Sequence, residues 1–395
     1  MSNGKPPYHE KLLHWLWKHR QFSTSQLQTG SGDKVIIHNT GTLNKTDGAD
    51  FRGADITVGD LRWHGDVEIH WNLAGWKAHG HHADPNFEQV ILHVIFEEEQ
   101  GCVTRSDGTS IPTLCLSPLL RQPLKKFMAQ YRQGPDLPCS GHLSFISEEA
   151  FAQQIQKAHK EYFEQKVEDL LEFYDPTLPP SKAWQKMFAI ALFDGLGISH
   201  NREPMQKLAT ELFDVAEPST LKSTLKAKAI RLSEIENDAT HPRKLNWNHK
   251  GVRPANHPRP RMMQGAECLC FILQLPFQHW MRKDPELLWE KMVHSISTTP
   301  SLGTERSDIL FGTVFLPALY SLGNLFFCEQ LKSQSWELWL QHRVSLPQSL
   351  LTLFSQSELP TGVYAQKLGT IRQLRNYCKP KNCQQCKVFK SVISS

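Results

Sequence analysis

The sequence predicts an α+β protein, with a mixed helix-and-strand module over residues 1–140 and a large all-α domain over residues 141–395. Three observations lead to that division. A chain of 395 residues exceeds one ordinary domain, and its 39% hydrophobic content can supply more than one core. Between about residues 34 and 116, short apolar runs are punctuated by Gly, Asp and Asn, the texture of strands joined by tight turns. From residue 147 onward, apolar residues recur at helical spacing almost to the end.

The first element is HEKLLHWLWKHRQF, where Leu12, Leu13, Trp15 and Leu16 make one apolar helical stripe. The runs KVIIHN, DITVGD, DVEIHW, VILHVIFEE and IPTLCL follow as strands. The Pro- and Gly-containing stretch RQGPDLPCSGHLSFIS, residues 132–147, marks the boundary. SEEAFAQQIQKAHKEYFEQKVEDLLEFY then opens the helical part, with Glu148 and Glu149 in its first turn. Further helices are expected in SKAWQKMFAIALFDGLGI, EPMQKLATELF, STLKSTLKAKAIRLSEI and PELLWEKMVHSI. Residues 241–262, HPRKLNWNHKGVRPANHPRPRM, are too rich in Pro, Asn and Arg for a regular helix and are expected as a long loop, of the kind that is usually functional or disordered.

Composition narrows the function classes. A net charge of +4 is too small for binding driven by overall charge, so a basic surface must be local. The start of the chain lacks the apolar stretch and small-residue cleavage site of a secretory signal, and the cytoplasm is expected. Residues 310–327 carry no charge, yet Gly312, Pro317, Ser321, Gly323 and Asn324 point to a buried core helix, and no membrane partner is expected. With no export signal, nine cysteines do not suggest a disulfide framework. Oligomeric state leaves no mark in the sequence.

The chemistry concentrates between residues 48 and 93. Alternation places Asp66, Glu68 and His70 on one strand face, and Val67, Ile69 and Trp71 on the other. A polar strand face in water would look the same. The neighbourhood is denser than such a face needs, because Asp50 precedes it and His79, His81, His82, Asp84 and His93 follow. Carboxylates and imidazoles at this density suit a divalent metal, with Asp50, Glu68, His79, His81 and Asp84 as candidate ligands. His93, inside VILHVIF, fits equally well as a hydrogen-bonded core histidine.

Helix, strand, Asp50, a strand with Glu68-x-His70 and a further strand together resemble the PD-(D/E)xK nuclease core. That resemblance implies a restriction-endonuclease-like module in which Asp50 and Glu68 hold Mg²⁺ or Mn²⁺. His70 then stands where the core has lysine, and Ala49 where it has proline. The metal would polarise a phosphodiester and acidify the attacking water, with Asp50, Glu68 and His70 as the catalytic set. Over a longer span, the LLHWLWKHR helix, GADF, GDVEIH, Trp76-x-x-His79-Gly80-His81-x-x-Asp84, VILHV, VRPANHPRPRM and the terminal C-x4-C-x2-C resemble the bacterial family known as domain of unknown function 2851. The family usually has proline where Ala49 stands, and it implies little about function.

Two features lie in the helical half. Cys378, Cys383 and Cys386 are spaced as metal ligands, with Cys139 as the expected fourth and Cys268 or Cys270 next. Zn²⁺ or a [4Fe–4S] cluster would suit four cysteines. One distant cysteine with three near the C-terminus is similar to the iron–sulfur clamp of some PD-(D/E)xK nucleases. In the loop, Lys250, Arg253, Arg259 and Arg261 beside Trp247 suit phosphate contacts with base stacking, although a solvated basic loop has the same composition.

The expected function is metal-dependent cleavage of DNA or RNA. The alternatives are a non-catalytic nucleic-acid-binding protein with a decayed nuclease core, and a histidine-rich zinc hydrolase of a small molecule.

Overall fold

The computed structural model describes residues 10–97, 99, 101–124, 126–127, 148–198, 200–233, 245–249, 252, 254–355, 360–388 and 390. The chain forms two compact units, Met1–Gly134 and Pro135–Ser395. The first is built on a mixed sheet and the second on helices.

In the first unit, helix α1 (Lys11–Lys18) buries Leu12, Leu13, Leu16 and Trp17 along one face. The Trp17 indole N–H donates to the Thr40 carbonyl at 3.0 Å, tying the helix to the sheet. Strands β1 (Leu27–Gln28), β2 (Lys34–Asn39), β3 (Thr42–Leu43), β4 (Phe51–Val58) and β5 (Leu61–His70) precede helix α2 (Ala74–Ala78). Strands β6 (Val90–Ile95), β7 (Val103–Thr104), β8 (Ser110–Ile111) and β9 (Thr113–Cys115) complete the set. The sheet runs in the order β1-β2-β4-β5-β6-β9, with β3 also paired to β4, while β7 and β8 pair with each other.

Pairing is antiparallel from β1 through β5 and parallel from β5 to β6 and from β6 to β9. A parallel partner cannot be reached by a hairpin, so the chain must cross over between β5 and β6. It uses residues 71–89, which carry α2 and the single turns His81–Ala83 and Pro85–Phe87. The histidine-rich stretch is therefore the crossover itself. Register shifts fall at Phe51/Ala54 between β4 and β5 and at Asp66/Val67 between β5 and β6, close to both carboxylates. Irregularities of this kind re-aim side chains at the edge of a site.

Val67, Ile69 and Trp71 enter the core with Leu13, Leu16, Trp17, Phe51 and Leu92, as the alternation requires. Ala49, Trp76, Phe87, Val90, Val103 and Ile111 form a smaller cluster. Burying side chains of this size contributes about 1.5–3 kcal/mol each before the entropic cost of ordering.

The second unit packs its helices around one core that includes Trp184, Phe188, Trp280, Phe315 and Trp339. The expected helices are present as Glu148–Leu171, Pro180–Leu196, Arg202–Asp214, Lys222–Ser233 and Pro285–His294. Within residues 241–262 the expectation of an irregular loop needs one correction. Regular helix starts at Pro258, because proline is well suited to a first turn and the His257 side chain accepts from the Arg259 N–H. The segment Thr304–Leu325 is long and apolar enough to cross a membrane, and 67% of its most apolar window is buried inside the unit.

Candidate metal centre

Asp50 lies one residue before β4, and Glu68 lies on the adjacent strand β5. Each carboxylate accepts a backbone N–H from the other's segment. Glu68 Oε2 accepts from Asp50 at 2.8 Å, and Asp50 Oδ2 accepts from Ile69 at 3.2 Å. Asp50 and Glu68 are 7% and 4% exposed. Taking two carboxylates out of water is costly, and these N–H groups supply part of the compensation. His14, from α1, adds its Nε2 at 3.1 Å from Asp50 Oδ2.

Beyond Glu68 the imidazoles gather. His81 Nε2 and His70 Nε2 stand 3.1 Å and 3.6 Å from Glu68 Oε1. His70 Nε2 is also 3.1 Å from His79 Nδ1, and His70 Nδ1 is 2.9 Å from His93 Nε2. His70, His79 and His81 each offer a nitrogen within 4.8 Å of the others. Donors bound to one tetrahedral zinc at about 2.1 Å stand roughly 3.4 Å apart, so these separations fit a common ion. Donor identity fits as well: three imidazoles and a carboxylate suit Zn²⁺ or Mn²⁺ better than Mg²⁺, which prefers oxygen.

Local geometry explains the convergence. Gly80 takes a left-handed φ of 76° between His79 and His81 and turns the chain so that both face His70. A Cβ on Gly75 would stand 2.7 Å from the His70 ring, so glycine there is what lets α2 lie over the imidazole. The Trp76 indole N–H anchors α2 to the Thr104 carbonyl at 2.9 Å. His81 stacks on Phe87 with ring centroids 3.7 Å apart, and Trp76 meets it edge-on. Burial drives the His70 pKa down to about 2, assisted by His93, His81 and His79 and opposed by Asp50. Burial first and His81 second lower His93 to about 4. Both rings are therefore neutral at pH 7, the form in which imidazole offers a lone pair.

The structure thus gathers Asp50, Glu68, His70, His79 and His81, and adds His14 and His93 beside them. Asp84 is placed otherwise: its carboxylate accepts from the Asn86 backbone and side chain at 2.9 and 3.0 Å, capping the turn Pro85–Phe87. It stands outside the histidine group, and so does exposed His82. His14 leaves no sequence signal beyond its place in an amphipathic helix. The signal for His93 was its polarity inside an otherwise apolar strand.

In the helical unit, Gln373 Nε2 donates to Cys378 Sγ at 3.4 Å and to Cys386 Sγ at 3.8 Å. Among the described residues, the histidines and not these cysteines with Cys383 make a three-donor cluster within 4.8 Å. Cys139, Lys250 and Arg253 lie outside the described residues. Cys268 and Cys270 are buried in the helix Pro258–Gln274, where burial raises both thiol pKa values, Cys268 to about 12. Arg259 is exposed. Arg261 is not, which corrects the expectation of a phosphate contact on an open loop. It is 3% exposed because Asn256 and Gln264 draw its guanidinium inward.

A search of the curated proteins and a search of the solved structures found no match to the chain. A family model described as "Protein of unknown function (DUF2851)" matches residues 10–237, which include the whole histidine cluster and end before the cysteine run. The match spans more than half of the sequence, and the chain belongs to the DUF2851 family.

Proposed function

We propose that the N-terminal unit is a divalent-metal-dependent hydrolase that cleaves phosphodiester bonds of nucleic acid on a PD-(D/E)xK-like plan. The observation that carries this reading is the reciprocal strapping of Asp50 and Glu68 across adjacent antiparallel strands, with Glu68 turned toward an imidazole cluster. The strand order supports it: a helix, an antiparallel meander, then a crossover to a parallel strand. His70 stands in the lysine position of that plan and acts as a donor to the metal, not as a free cation. Glu68, His70, His79 and His81 hold the ion, and Asp50 keeps negative charge behind it. When bound, a Zn²⁺ or Mn²⁺ ion supplies Lewis acidity toward a phosphoryl group and a water nucleophile at neutral pH. Exposed His79 makes the rim through which substrate reaches the buried His70 and Glu68.

A small-molecule zinc hydrolase is the second reading, favoured by the imidazole-rich donor set and by the burial of Arg261. The test compares the parent with Glu68→Gln on single- and double-stranded DNA and RNA, in Zn²⁺, Mn²⁺ and Mg²⁺. Cleavage by the parent in Zn²⁺ or Mn²⁺ is expected, and its loss in Glu68→Gln with nucleic-acid binding nearly unchanged, because the amide keeps the shape and removes the charge. Salt-dependent binding without cleavage in any metal would reassign the protein as a binder. Absence of binding would favour the small-molecule hydrolase.

A further inference from the structure

The helical unit holds two arginines, Arg261 buried and Arg306 partly buried, and neither forms an ion pair with a carboxylate among the described residues. Arg261, in the first turn of the helix Pro258–Gln274, donates from Nη1 to Gln264 Oε1 at 2.9 Å and from Nη2 to Asn256 Oδ1 at 2.5 Å. Both acceptors are neutral, and its buried Nε has no hydrogen-bond partner among the described residues. Arg306, in the helix Thr304–Leu310, is partly buried. Burial first and Arg306 second bring the Arg261 pKa down to about 10. Burial also lowers Arg306, against the attraction of exposed Glu305.

Both arginines line a cavity of about 530 Å³, together with His200, Asn201, Asn256, Ser301 and the carboxylate of Glu305. Arg306 also lines an adjoining cavity of about 600 Å³, where Asp194 and Asp169 are already paired and Glu172 is exposed. Asp194 accepts from Arg202 Nε at 2.8 Å and from Gln206 at 2.6 Å, and Asp169 pairs with Lys166 at 2.5 Å. The two guanidinium groups that share this cavity repel each other, and the Glu305 carboxylate on its wall is exposed and forms no ion pair with either among the described residues. An anion in the cavity would supply the counter-charge.

We propose that this cavity binds the phosphate group of a small phosphomonoester, with Arg261 and Arg306 as its charged donors. The chemistry favours phosphate over a carboxylate. A tetrahedral dianion can satisfy two separate guanidinium forks and still accept from a hydroxyl donor such as Ser301, the Asn201 amide being held by the Asn248 backbone. The volume is in the range of small-ligand sites. The cavity belongs to the second unit and its residues are independent of the histidine cluster, so the two proposals fail separately.

The test is thermal unfolding of the full chain in rising inorganic phosphate, with sodium chloride at matched ionic strength as control. A saturable rise of about 5 °C over chloride is expected at saturating phosphate. Arg306→Gln should abolish that rise. Without phosphate, its own midpoint should equal or exceed the parent's, because the like-charge pair is gone. Arg261→Gln should also abolish the rise but melt lower, since it gives up the Asn256 and Gln264 bonds. An equal phosphate effect in parent and Arg306→Gln would overturn the proposal, and so would no effect beyond chloride. A nucleoside 5′-monophosphate should reproduce the Arg306-dependent rise, whereas an oligonucleotide with hydroxyl ends should not. Such a rise with the oligonucleotide would reassign the cavity to backbone phosphate and overturn the small-ligand claim.

Discussion

His70 in the sheet unit and His159 in the helical unit are both buried imidazoles, 1% and 2% exposed, yet their surroundings give them different roles. His159 Nε2–H donates to the Trp339 carbonyl at 3.1 Å, and its Nδ1 accepts from the Gly369 N–H at 3.1 Å. Backbone groups fix its tautomer and use both nitrogens, while Trp339 stacks on the ring at 4.7 Å. Nothing is left for a ligand. The nitrogens of His70 meet His79 and His93, whose protons are as mobile as its own, with Glu68 beyond. A neutral imidazole has one N–H and one lone pair, so three linked rings have several proton arrangements and, among the described residues, no backbone group to choose among them. A metal at His70, His79 and His81 would choose. The His70 Nδ1–H would then donate to His93, the outer partner that a ligating histidine normally has. Burial alone does not mark a functional histidine; the identity of its partners does.

The largest effect that can break this contrast is at His70. His70→Ala removes the donor that touches both His79 and Glu68, and stoichiometric Zn²⁺ or Mn²⁺ binding to the N-terminal unit should be lost. His159→Gln should leave that equivalent in place. Metal content after dialysis reads both, and a His70→Ala protein that kept its metal would remove the basis for the centre.

The second effect is on stability and belongs to His159. Burial, and then the positive charges of Lys367, Arg343 and His342, hold its pKa at about 4, while the Trp339 carbonyl pulls the other way. The unfolded chain has the ordinary value near 6.5 and so binds more protons between pH 6.5 and 4. The stabilisation is complete above about pH 6.5 and is lost as pH falls through that window, by about 3 kcal/mol in all. Urea unfolding at pH 7.5 and pH 4 should show the gap between parent and His159→Gln shrinking by that amount. A gap of equal size at both pH values would mean that His159 is not held neutral.

The same contrast shows what the sequence could reveal. Alternation along residues 66–71 separates the polar face from the core face, because a strand's side chains have a fixed period of two. The change from strand texture to helical spacing was legible for a similar reason. The contribution of His14 depends on how α1 lies across the sheet, which no local pattern encodes. The need for Gly75 appears only when α2 is laid over the His70 ring. Asp84 has the right chemistry for a ligand, but two residues on, Asn86 offers it a local cap, and a short-range partner captures a short side chain first. Arg261 reads as one cation of a basic loop until Asn256 and Gln264, five residues before it and three after, turn it inward.

A third effect sharpens the difference between a ligating and a supporting histidine. His93 is fully buried, pairs in register with Glu68 across the parallel strands β5 and β6, and puts its Nε2 2.9 Å from His70 Nδ1, with no donor atom in the histidine group. His93→Phe keeps the bulk and removes the acceptor for His70 Nδ1. Affinity for Zn²⁺ should fall about 10- to 100-fold, or roughly 1.4–2.7 kcal/mol, with stoichiometry unchanged. Unchanged affinity would show that His93 only fills space.

The smallest effect is expected where cysteines are densest. Cys378, Cys383 and Cys386 lie within nine residues, closer in sequence than Glu68 and His81, yet the histidines and Glu68 converge through a strand and a crossover. At the cysteines, the Gln373 amide donates to two of the three sulfurs and so already provides partners inside the protein. Replacing all three by serine should leave the histidine-bound equivalent untouched and cost at most about 1–2 kcal/mol of stability, the range for altered buried polar contacts. Metal analysis of anaerobically purified parent and triple variant distinguishes the outcomes. One equivalent in both proteins is the expected result. A second equivalent of zinc, or iron with sulfide, lost only in the triple variant would show that the cysteines close around their own metal. Adding Cys139→Ser would then test whether that residue is the fourth ligand, since a four-cysteine site deprived of one thiolate should lose the cluster while the histidine centre stays filled.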